Sequence, residues 1–154
     1  MKTEKLKEGV EAPEIELQTD MDEPFRLSSL RGRKVVLYFY PKANTPGCTT
    51  ESCEFRDSMP AIEEKDAVVI GVSPDKPGAQ AKFKNKHKLP FTLLADTGHR
   101  AAEAYGVWKE KNMCGRKYMG IERTTFLIGE DGKIRKIFTK VKPSGHAGEV
   151  LSAL

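Results

Sequence analysis

The sequence predicts an α/β fold in which a mixed central β-sheet is flanked by helices, and three observations carry that expectation. Residues 34–40 and 67–73 are runs of β-branched, aliphatic and aromatic residues with no polar face, the pattern of strands buried on both sides. Helix-like segments follow each of them. Near the C-terminus, two strand-like runs flank Glu130-Asp131-Gly132, a strong hairpin signal. Strands that alternate with helices and close on a hairpin and a helix read as a layered α/β sandwich.

Taken in order, a polar lead-in precedes Pro24 to Gly32, which reads as a short strand and turn. Strand 34–40 ends at Pro41, and a helix is expected from Thr45 through Asp57. Pro46 suits the first helical turn, where its missing N–H costs nothing, and Thr45 can cap. After strand 67–73, residues 77–88 read as a helix, 91–94 as a brief strand and 98–105 as another helix. Runs 123–128 and 133–138 form the hairpin, and 146–154 closes the chain as a helix. The Lys-rich stretch from Lys82 to Lys88 reads as a solvated helix face. No repeat, low-complexity tract or linker divides the chain, so one domain over residues 1–154 is expected, in an order that resembles a thioredoxin-like fold.

Composition narrows the function classes. A chain of 154 residues can bury a real core without staples, and 38% hydrophobic with 31% charged residues is the balance of an ordinary soluble protein. The 26 Lys and Arg exceed the 22 Asp and Glu by a formal charge of +4, mild and scattered, which gives no argument for nucleic acid. The N-terminal residues are polar and lack the apolar core of a signal peptide. The longest apolar runs are far too short to cross a bilayer. Cytoplasm, where thiols stay reduced, is the expected location. Three cysteines cannot all pair within one chain, so a structural disulfide framework is not expected.

Chemistry concentrates in Tyr40-Pro-Lys-Ala-Asn-Thr-Pro-Gly-Cys48. Cys48 falls just after a buried strand, within the first turn of the expected helix, where unpaired N–H groups and the positive dipole end favour a thiolate. The Thr45 hydroxyl, three residues earlier, is close enough to sit near the sulfur. Alone, this leaves two readings open: a reactive thiol, or a small buried residue of the kind free cysteine often is.

Cys53 favours the reactive thiol, although a second buried cysteine on the opposite helix face is the plainer alternative for it. It lies five positions after Cys48, and five residues of intact helix rise roughly 7.5 Å and rotate about 140°. A disulfide needs Cα atoms within ~7 Å and converging Cβ vectors, so the pair cannot close while the helix stays wound. Such a bond is poor as a cross-link but suits a cycle in which Cys48 oxidises to sulfenic acid and Cys53 condenses with it after a turn unravels. Zinc is not expected, because the pair lacks the short Cys-x-x-Cys knuckle and His87, His99 and His146 show no ligand spacing.

The stretch from Phe39 to Asp57, with Pro41, Thr45, Cys48, Glu51 and Cys53 at their positions, resembles the active-site segment of the peroxiredoxins, in particular the bacterioferritin comigratory protein or peroxiredoxin Q subfamily. The likeness continues through Gly9-Val-Glu-Ala-Pro13, Gly71-Val-Ser-Pro-Asp75, Phe83, Leu93-Leu-Ala-Asp96, Tyr105-Gly-Val-Trp108 and Gly120-Ile-Glu-Arg123-Thr-Thr-Phe126. This resemblance implies a thiol-dependent peroxidase acting on hydrogen peroxide and organic hydroperoxides. It implies Cys48 as the peroxidatic cysteine, Cys53 as the resolving cysteine, and Arg123 as the cation that stabilises the thiolate and the charge developing on the O–O bond. Pro41 would shield the site and Glu51 would orient an arginine. Thioredoxin or a similar dithiol would recycle the enzyme, a monomer without metal, haem or flavin, because sulfur itself carries the electrons. Cys114 departs from the pattern and reads as a tolerated substitution in a loop. Two rival readings are a one-cysteine peroxidase with Cys53 a bystander, and a redox sensor that uses the same thiol as a switch.

Overall fold

The computed structural model describes residues 6–154, so the reading of the polar lead-in at residues 1–5 lies outside the described residues. Nine strands and four helices follow in the order β1 (Glu16–Thr19), β2 (Pro24–Arg26), β3 (Lys34–Phe39), α1 (Pro46–Glu64), β4 (Ala67–Ser73), α2 (Pro77–His87), β5 (Thr92–Ala95), α3 (Arg100–Ala104), β6 (Trp108–Met113), β7 (Arg116–Ile121), β8 (Thr124–Ile128), β9 (Ile134–Phe138) and α4 (His146–Ala153). Seven strands make one sheet in the order β2-β1-β5-β4-β3-β8-β9, while β6 and β7 form a separate hairpin. The centre is parallel, β3 with β4 and β4 with β5. Antiparallel pairings of β1 with β5 and β8 with β3 extend it on both sides, which makes the sheet mixed.

Strand β3 explains why both its faces are apolar. Val35, Leu37 and Phe39 point into one core with Ile70, Val72, Leu94, Ala102 and Tyr105. The alternate residues Val36 and Tyr38, with Tyr40 just beyond the strand, face a second core filled by Phe55 and Ile62 of α1, Phe83 of α2 and Val150 of α4. Period-two alternation thus feeds two helical layers at once. Because β3 and β4 run parallel, their carboxyl ends lie side by side, and the chain leaves β3 directly into the loop that starts α1.

Several elements differ from the expected ones. Helix α1 does not stop near Asp57 but runs through Pro60 to Glu64. Pro60 removes one helical hydrogen bond, yet Met59 and Ile62 on either side of it are buried, and their packing holds the last turns in register. The β6–β7 hairpin is absent from the sequence reading. Its residues Lys109, Glu110, Asn112, Met113 and 116–119 are all exposed, so it carries no apolar alternation to detect. The Lys-rich α2 face is solvated only in part: Lys84 pairs at 3.2 Å with Asp20, whose side chain is buried. Among the described residues, no helix is long and apolar enough to cross a membrane.

Candidate active site

Thr45 is the N-cap residue of α1 and Pro46 its first residue, which puts Cys48 in the first turn as expected. The capping itself works differently from the expectation. The Thr45 side chain makes no cap hydrogen bond, and its hydroxyl donates back to the carbonyl of Lys42 at 2.8 Å. That bond curls the Pro41–Thr45 loop tightly, and Asn44 within it takes a positive φ of 63°, a conformation asparagine tolerates.

Cys48, Glu51, Ser52, Phe55, Met59 and Ile62 are the buried residues of α1, one stripe at helical spacing against the sheet. Tyr38 of β3 and Ser52 share a hydrogen bond at 2.8 Å in this interface. The Cys48 side chain is 1% exposed. Cys53 falls off the stripe, is half-buried, and like Cys48 and Cys114 is a free thiol.

Arg123 completes the site from a different part of the chain. It occupies the short connection between β7 and β8, just before the strand in which the sequence reading placed it. From there Nη2 donates to Cys48 Sγ at 3.3 Å and Nη1 donates to Glu51 Oε1 at 2.7 Å. The planar fork of the guanidinium, which lysine lacks, lets one side chain grip both groups. Gly47 makes room for it: a Cβ there would stand 3.2 Å from Nη2 and 3.4 Å from Cγ of Pro143.

Electrostatics follow from burial. Loss of solvent pushes the Glu51 carboxyl up to about 7, against the opposing pull of the Arg123 charge. Its second oxygen, Oε2, is buried and has no hydrogen-bond partner. Arg123 is held above its ordinary range because the Glu51 and Cys48 charges outweigh its own partial burial. A second cation was missed by sequence reasoning. Lys111 of β6 is half-buried, lies over Gly120 of the adjacent strand, and is lowered by partial burial and by the charge of Arg123. The one signal for it was its position in the strand opposite the Gly120–Arg123 motif.

The remaining sequence candidates separate cleanly. Pro41 is half-buried at the start of the loop. Cys114 is exposed at the tip of the β6–β7 hairpin. It and Gly115 have φ of 53° and 79°, as a two-residue turn with both φ positive requires. His146 shares a 2.7 Å hydrogen bond with Thr125 and stands edge-on to Phe55 of α1. Among the described residues, no group of three or more His, Cys, Asp or Glu could hold a metal ion.

Comparison with known proteins finds this fold and sequence again over nearly the whole chain. Residues 9–137 match the AhpC/TSA family model. The chain is 53% identical over 146 residues to Peroxiredoxin Bcp of Bacillus subtilis, covering 95% of this chain and 93% of that protein. The chain belongs to the AhpC/TSA family, among the peroxiredoxins. Peroxiredoxin Bcp of Escherichia coli is 44% identical over 149 residues, covering 97% of this chain and 96% of that one. Among solved structures, a Xanthomonas campestris bacterioferritin comigratory protein, described for its alkyl peroxide reduction activity, superposes with a TM-score of 0.89 at 36% identity over 96% of each chain. Peroxidoxin BcpB of Mycobacterium tuberculosis superposes with a TM-score of 0.85 at 36% identity, over 96% of this chain and 95% of that one. As a peroxiredoxin, this chain is an enzyme, a thiol peroxidase that takes peroxide as substrate and a thiol as reductant.

Proposed function

We propose that this peroxiredoxin reduces hydrogen peroxide and organic hydroperoxides through Cys48, resolves through Cys53, and is recycled by thioredoxin or a similar dithiol. The observation that carries the reading is the bond from Arg123 Nη2 to Cys48 Sγ at 3.3 Å. It sets a fixed positive charge against the sulfur in a site closed to bulk water, where such a charge acts most strongly.

The Cys48 thiolate attacks one peroxide oxygen, the O–O bond breaks, and the leaving oxygen takes up a proton and departs as water or alcohol. Cys48 is then a sulfenic acid. The first turn of α1 unwinds, the Cys53 sulfur attacks Cys48 Sγ, and water leaves as the disulfide forms. A dithiol donates two electrons and two protons and restores both thiols. Arg123 serves the first step as thiolate partner and as stabiliser of the charge on the breaking bond. Glu51 orients Arg123, Thr45 holds the loop and faces the peroxide, and Pro41 screens the sulfur from solvent.

The cycle needs no second chain, which favours a monomer acting as one domain over residues 1–154. A cycle that starts from reduced thiols suits the cytoplasm, where thiols stay reduced. Treating the reduced protein with one equivalent of peroxide and mapping disulfides by mass spectrometry tests the reading. A Cys48–Cys53 bond with Cys114 left free is expected. A sulfenic acid that persists on Cys48 would favour one-cysteine catalysis instead.

A further inference from the structure

The segment Gly71-Val-Ser-Pro-Asp75 belongs to none of the roles above, yet its side chains reach the reactive loop. Asp75 lies just past the end of β4, beside the point where the chain leaves β3. Its Oδ2 accepts two hydrogen bonds, from the Ala43 backbone N–H at 2.7 Å and from the Ser73 hydroxyl at 2.6 Å. Ser73 in turn accepts from Gln80 Nε2 at 2.8 Å. Gln80 is fully buried on α2, donates to the Leu94 carbonyl at 2.8 Å and accepts from the Tyr40 hydroxyl at 2.6 Å. Tyr40 precedes Pro41, and Ala43 follows it by two. The loop is therefore tied at its start, through Tyr40, and at its middle, through Ala43, to β4, β5 and α2, by bonds that include no atom of α1.

This separates the site into two parts. The Pro41–Thr45 loop is braced by the sheet. The first turn of α1, which carries Cys48, is held instead by Arg123 and by packing of its buried stripe. We propose that Asp75 is a positioning residue that makes the loop the immobile half of the site, so that the wound, peroxide-reactive form of Cys48 is favoured and only the helix turn moves when the disulfide forms. The proposal rests on the two-cysteine reading and deepens it.

Removing the brace lets the loop follow the helix turn outward. The two chemical steps then change in opposite directions, because the first needs the wound form and the second needs the unwound one. Stopped-flow measurement of Cys48 oxidation by hydrogen peroxide and of subsequent disulfide formation tests this on Asp75→Ala and Asp75→Asn, alongside thermal unfolding. The alanine variant should oxidise about 10-fold more slowly, a loss comparable to one charge-assisted hydrogen bond, yet form the disulfide faster. It should also accumulate less sulfinic acid at high peroxide, since a second peroxide has less time to react with the sulfenic acid. The asparagine variant keeps an acceptor oxygen for Ala43 and should fall between alanine and wild type; it also carries the test if the alanine variant does not fold. Both rates unchanged in the two variants, or both falling together with the unfolding midpoint, would overturn the proposal. Failure of the wild-type protein to form a Cys48–Cys53 disulfide would instead overturn the two-cysteine reading, and with it the role given to Asp75.

Discussion

Arg123 donates from Nη2 to Cys48 Sγ at 3.3 Å, joining two residues 75 positions apart in the chain. The same guanidinium holds Glu51 through Nη1 at 2.7 Å, so the cation cannot leave the sulfur without abandoning a buried carboxylate. Its position is over-determined.

Substituting Arg123 by methionine should therefore lower the second-order rate of Cys48 oxidation about 100-fold or more, the range seen when one preorganised charge stabiliser is lost. Lysine should recover only part of it, since a point charge cannot face both groups. Stopped-flow oxidation of the reduced variants checks this; a methionine variant within threefold of wild type would remove Arg123 from the mechanism.

Gly47 offers a subtler probe of the same geometry. A methyl group at this position meets Nη2 at 3.2 Å and Pro143 at 3.4 Å, so Gly47→Ala should shift the fork slightly and lengthen its bond to the sulfur. Oxidation should slow by about 10-fold, equivalent to weakening one charge-assisted hydrogen bond. Denaturant midpoints should stay close to wild type, because the neighbours yield by only tenths of an ångström.

Glu51 makes stability depend on pH. Burial raises its carboxyl from the ordinary 4.5 to about 7 in the fold, so the native state holds a proton that the unfolded chain releases. Its contribution is fully present below pH 4.5 and is lost as pH rises to about 7, of order 3 kcal/mol in all. His146 acts oppositely: burial lowers it below 6.5, so its contribution is present above that value and is lost as pH falls. Urea unfolding of wild type and Glu51→Gln across pH 4.5–7 isolates the first effect. The glutamine variant should gain stability relative to wild type as pH rises, and parallel curves would refute the assignment.

Cys53→Ser should still oxidise once but fail to turn over with thioredoxin. Sulfenic acid should accumulate on Cys48, detectable by trapping with a dimedone-type reagent and mass measurement. Sustained thioredoxin-supported turnover in this variant would leave Cys53 a bystander.

The buried strands at 34–40 and 67–73, the C-terminal hairpin and the helix that starts at Pro46 were all legible in the sequence, since each writes its environment into local residue pattern. So was the incompatibility of a Cys48–Cys53 bond with a wound helix, because helix rise and rotation follow from spacing alone. The β6–β7 hairpin left no such trace: its solvent-exposed residues need no alternation. Arg123 was found only through resemblance, for nothing local distinguishes it from other surface arginines. The full extent of α1 was also hidden, as Pro60 locally argues for a stop that only the packing of Met59 and Ile62 overrules.

The sequence by itself thus determined where a reactive thiol stands, at the start of a helix after a buried strand, with a second thiol it can reach only by unwinding. Tertiary structure alone decided what surrounds that thiol. Arg123 meets Sγ because β8 lies antiparallel beside β3, and Asp75 meets Ala43 because β4 ends beside the same strand. Both contacts depend on the order of strands in the sheet, a long-range pairing that no local pattern of residues encodes.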